Sequence, residues 1–131
     1  MRAPASLLGL CALLAASAAR AEVDGSKPLV CDLVEAAQCD GLAACSDVTL
    51  EQIDLPGPIH VDFAGSRLHS TDEQRTSPIA SVAKEDAVLL LQGSENGRAW
   101  TMVIDRATGH LSATLADAEG AIVIAGACTA K

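Results

Sequence analysis

The sequence predicts a mainly β protein: a small antiparallel barrel or a two-layer sandwich, ending in a four-strand meander and carrying two disulfides. One short N-terminal helix fits beside it. Three observations point there. Turn signals punctuate four apolar runs at about 10 to 12 residue spacing in the C-terminal half. Within those runs apolar and polar residues alternate, and four cysteines remain once an export leader is set aside. With 131 residues, 50% hydrophobic but only 2% aromatic, the chain suffices for one domain with a modest core.

Met1 and Arg2 give a positive start, Leu7 to Ala19 an uncharged apolar run, and Ala19-Arg20-Ala21 a small-x-small cleavage site before Glu22. Residues 1–21 therefore read as a cleaved secretory signal and 22–131 as a single disulfide-bonded domain, periplasmic or secreted. That run is too short to span a bilayer and no later one reaches the roughly 20 apolar residues that a membrane-spanning helix needs, so no transmembrane segment is expected. Cys11 follows Leu10, which is not the small residue expected before a lipidated cysteine, so lipidation is not the preferred reading.

Cys31, Cys39, Cys45 and Cys128 form an even set suited to an oxidising compartment. Eight residues separate Cys31 from Cys39, about 12 Å along a helix or 26 Å along a strand, against a bridgeable Cα separation below about 7 Å. Two pairings remain. Cys39 with Cys45 and Cys31 with Cys128 is preferred, because the first closes a short turn and the second ties the domain's ends together. A zinc site is the competing reading, and the lack of a CxxC pair disfavours it.

Along the domain, residues 22–28 are a polar entry ending in Pro28. Leu29, Leu33 and Ala36 or Ala37 then favour a helix face over 29–39, although Val30, Asp32 and Val34 leave a strand open. Asp54-Leu55-Pro56-Gly57-Pro58 is a turn by composition, followed by a half-buried strand with Ile59, Val61 and Phe63 alternating with His60 and Asp62. Residues 70–78 read as a loop or an edge.

The meander is expected near 87–93, 98–104, 110–116 and 121–128. Asn96-Gly97 suits a type I′ turn, and Asp105 to Gly109 and Asp117 to Gly120 suit longer loops with Gly in the left-handed position. Counting outward from these turns sets Glu95 against Arg98, Leu91 against Met102, Ile104 against Leu111, Trp100 against Leu115, and Ala113 against Ile124. One face then collects Leu89, Leu91, Trp100, Met102, Ile104, Leu111, Ala113, Leu115, Ile122 and Ile124, with Cys128 inward beside them. The opposite face, Val88, Leu90, Thr101, Val103, Ser112, Thr114, Val123 and Ala125, is partly apolar. Its Leu90 and Val103 patch is expected to lie under the N-terminal segment or a second layer, the alternative being an exposed contact surface.

Chemistry-bearing patterns are sparse. The chain has no nucleophile elbow, phosphate-binding loop, HExxH or dinucleotide glycine pattern, so no cofactor and no catalytic residue is assigned. His60 and Asp62, sharing a strand face, would need His69 or His110 to hold a metal; a solvated face is the preferred reading. Ser77, Ser81 and Ser112 have no base that spacing places beside them. Turn chemistry accounts for Asp105 and Asp117, and register sends Trp100 to the core rather than to a ligand. The domain beyond residue 21 holds seven Lys and Arg against seventeen Asp and Glu, a net −10. That balance and the lack of aromatics exclude nucleic acid and favour a cationic partner.

The segments Leu29-Val30-Cys31, Val61-Asp62-Phe63, Leu91-Gln92-Gly93, Asn96-Gly97-Arg98-Ala99-Trp100 and Gly126-Ala127-Cys128-Thr129, with Cys39 and Cys45, resemble a group of small exported bacterial proteins of unknown function. That resemblance implies a periplasmic setting and no catalytic residues. In size, export and architecture the chain is also similar to periplasmic lysozyme inhibitors. The leading expectation is a noncatalytic binding or accessory protein. An inhibitor of a cationic secreted enzyme such as lysozyme ranks second, and a small hydrolase using His60 or His110 ranks last.

Overall fold

The computed structural model describes residues 22–41 and 44–131, where it contains ten strands and no helix. The expected leader and the 42–43 part of the Cys39–Cys45 turn lie outside the described residues. The strands are β1 (Leu29–Asp40), β2 (Ala44–Val48), β3 (Pro58–Asp62), β4 (Arg67–His69), β5 (Thr76–Pro78), β6 (Ser81–Lys84), β7 (Val88–Glu95), β8 (Arg98–Asp105), β9 (His110–Ala116) and β10 (Gly120–Ala130). All pair antiparallel in one sheet of order β5-β4-β3-β1-β10-β9-β8-β7-β6, with β2 on the distal half of β1.

The sheet is curled rather than folded into two layers, and one stretch of chain joins its edges. β5 pairs with β4 and β6 with β7, yet only Ile79 and Ala80 separate β5 from β6. Ile79 N–H donates to Ser66 O beside β4, and Ala80 N–H donates to Gln92 O on β7, both at 2.8 Å. Segment 76–84 thus crosses from one sheet edge to the other, which shelters backbone groups that an open edge would leave unpaired.

The meander register agrees with the sequence reading at every pair: Glu95 with Arg98, Leu91 with Met102, Ile104 with Leu111, Trp100 with Leu115, and Ala113 with Ile124. Asn96 and Gly97 both take positive φ, 50° and 78°, as a type I′ turn requires. Gly109 is left-handed as expected, at 78°. Gly120 is not among the positive-φ glycines and corrects that expectation. It is required for another reason, since a Cβ there would stand 2.2 Å from Cys39 O on the neighbouring strand.

The expected helix over 29–39 is instead β1. Leu29, Cys31 and Leu33 point inward by alternation, and then a bulge between Leu33 and Glu35 adds one residue so that Ala36 is the next to face in. Period two interrupted by a bulge places apolar residues at 29, 33 and 36, which imitates a helical stripe.

Both disulfides form as preferred, Cys31–Cys128 and Cys39–Cys45, each between directly paired residues. The first is buried and the second lies in an exposed hairpin. Around Cys31–Cys128 the curl is filled by Leu29, Val61, Leu89, Ile104 and Leu111. Val23 caps that end, buried, with its N–H on Arg106 O at 2.8 Å, while Glu22 pairs with Arg106 at 2.7 Å. Residues 22 and 23 therefore plug an end of the curl rather than covering the Leu90 and Val103 patch. Among the described residues no second layer covers that patch: Leu90 is half-buried and Val103 is 36% exposed.

Candidate functional site

The opposite end of the curl is less completely filled, for reasons visible in the inward positions of the meander. Toward the β7–β8 turn the inward residues are Gly93, Trp100, Leu115 and Ile122, and the row behind holds the small Ala113. Gly93 gives way to the indole, since a Cβ there would come within 2.3 Å of Trp100 Cζ2. The ring lies across the strand, and its Nε1 donates to Ser77 Oγ on β5 at 3.0 Å. A small curled sheet with one inward Trp and several Ala, Gly and Ser positions cannot fill its interior.

What remains is an apolar cavity of about 110 Å³. Its inner wall is Leu33, Met102, Ala113 and Ile124; Trp100 and Leu115 flank it, and Leu55 and Pro56 reach over it from the 49–57 loop. The rim carries Ser70 and Arg75 from the β4–β5 connection, Thr76 from the start of β5 and Glu95 from the end of β7. Arg75 spans the mouth, its guanidinium donating to Asp54 O and standing 3.8 Å from Asp54 Oδ1, so two rim loops are tied together. Sequence reasoning placed Trp100 in the core, which is right at 7% exposure. It missed that the same ring walls a cavity. Ala113 was the available signal, a small residue on an otherwise large-residue face.

The other candidates are dispersed. His60 and His69 do meet, their rings stacked with centroids 4.9 Å apart, but Asp62 is taken by Gly65 N–H and Arg67. Among the described residues no group of three His, Cys, Asp or Glu is placed to hold a metal ion. Ser77 Oγ accepts the Trp100 indole N–H, Ser81 donates to Gln92, and Ser112 sits on the exposed outer face. Asp105 accepts from the N–H and the hydroxyl of Thr108, and these bonds, the backbone one foremost, lower its pKa. Asp117 accepts from Glu119 and Gly120 N–H with the same result. Both aspartates act as turn residues.

His60 makes stability depend on pH. Lys131 Nζ donates to His60 Nδ1 at 2.7 Å, so His60 Nδ1 accepts and Nε2–H donates to Thr71 Oγ1 at 3.2 Å. Partial burial, then Lys131, then His69 push the His60 pKa below its usual value, with Glu73 opposing. The unfolded chain then binds the proton more readily, so this contribution is complete above about pH 6.5 and is lost as pH falls through the folded value. Denaturation midpoints should fall between pH 7.5 and 5, and the fall should be smaller in His60→Gln. An equal fall in that variant would contradict the assignment.

No family model, no curated protein and no solved structure matches the chain.

Proposed function

We propose that this chain is a noncatalytic binding module of an exported compartment and that the cavity behind Trp100 holds its ligand. One observation carries the reading: an apolar cavity opens at one end of the curl, while the other end is packed and stapled. Two disulfides support the oxidising setting, and among the described residues no helix is long and apolar enough to cross a membrane. A cavity of this size suits an apolar group of about five heavy atoms, since one of about 150 Å³ accepts benzene. Small apolar alcohols should raise the melting temperature saturably, and Ala113→Leu, which fills the space, should abolish the rise. A rise that survives Ala113→Leu would place binding elsewhere.

Charge supports a second reading, inhibition of a cationic secreted enzyme such as lysozyme. Every arginine among the described residues, Arg67, Arg75, Arg98 and Arg106, is already paired with a carboxylate, so the acidic excess dominates the outward field. Lysozyme activity unchanged by micromolar protein in low salt would dispose of it.

A further inference from the structure

The cavity's rim is electrostatically one-sided. Arg75, the cation at the mouth, is spent on Asp54 through its carbonyl and its carboxylate. Glu95 sits at an inward-facing position at the end of β7 and lines the same mouth. Its cross-strand partner Arg98 turns instead to Asp117, Nε to Oδ2 at 3.8 Å, and among the described residues the Glu95 carboxylate has no ion pair or hydrogen bond. Trp100 and Leu115 wall the cavity at this end. Apolar walls and an unengaged carboxylate share one mouth.

On the reading that the cavity binds a ligand, we infer that the ligand class is a small amphipathic amine. Its branched or cyclic hydrocarbon part lies among Met102, Ala113 and Ile124, and its ammonium stands at the mouth by Glu95. A neutral apolar molecule would use the same walls but leave Glu95 solvated. A carboxylate of the same shape would meet Glu95 as a like charge. The amine gains an exposed ion pair, a modest interaction that favours it by about threefold over its alcohol.

Isoamylamine, isoamyl alcohol and isovalerate share the hydrocarbon end and differ in the head group. Titrated into the oxidised protein at low salt and followed by amide chemical shifts, the amine should bind tightest and isovalerate weakest. Glu95→Gln should bring the amine down to the alcohol and leave the alcohol unchanged. Glu85→Gln, at the plugged end, should preserve the preference. Equal binding of amine and alcohol by the unmodified protein would overturn the amine assignment and leave the cavity reading standing. So would equal losses in the Glu85 and Glu95 variants, which would mean that only the general acidic field acts. If none of the three probes binds, the cavity reading falls and this inference falls with it.

Discussion

Cys31→Ser should lower the melting temperature by about 15 to 30 °C or prevent folding. The Cys31–Cys128 bridge joins residues 97 apart in sequence, so it removes freedom from almost the whole unfolded domain. The chain-entropy relation puts that at about 4.7 kcal/mol, against roughly 2.4 kcal/mol for the short Cys39–Cys45 loop. Burial adds to the asymmetry. Cys31 and Cys128 are 0% and 3% exposed, so a lone hydroxyl or thiol there sits in the packed end of the curl, whereas Cys45 faces solvent. Against a total stability of about 5 to 15 kcal/mol the long staple is a large share. Cys45→Ser should therefore cost about half as much. Denaturant midpoints of the two variants decide the matter, and equal losses would show that loop length is not what the long bridge contributes.

Trp100→Ala should cost about 3 to 5 kcal/mol, the range for deleting a large aromatic side chain from a core. This is the only Trp of the chain, and it connects three parts of the sheet. It pairs with Leu115 and Gly93, lies over the space that Gly93 leaves, and donates to Ser77 on the segment that joins the two sheet edges. Removing the ring merges its volume with the cavity and leaves the Ser77 hydroxyl without its indole donor. Trp100→Phe keeps a ring over Gly93 but loses the donor and part of the indole's volume, so it should cost less than Trp100→Ala, by roughly 1 to 2 kcal/mol. A loss below about 1 kcal/mol for Trp100→Ala would mean that the ring is not part of the core.

The meander was legible because each of its turns carries its own chemistry. Asn96-Gly97 fixes one hairpin, Asp105 and Asp117 accept the backbone N–H groups of the next two loops, and alternation carries the register outward from each. The N-terminal half lacks such anchors. Strand β1 hid behind its bulge, and the short β2, β4 and β6 have too few residues for alternation to declare itself. The disulfides were recoverable because four cysteines allow few pairings and chain reach removes one. Of the cavity, the sequence offered only the small Ala113 on a large-residue face. The cavity itself depends on how Trp100 tilts over Gly93 and how loop 49–57 brings Leu55 and Pro56 to the mouth, both consequences of long-range closure rather than of local pattern.

If the space behind Trp100 admits a ligand, that residue is its own reporter, because no other Trp contributes to emission. Intrinsic fluorescence titrated with isoamylamine should change saturably, and the change should vanish in Ala113→Leu while that variant keeps the emission of a buried indole. Emission that stays constant throughout the titration, or that changes identically in Ala113→Leu, would contradict ligand binding there.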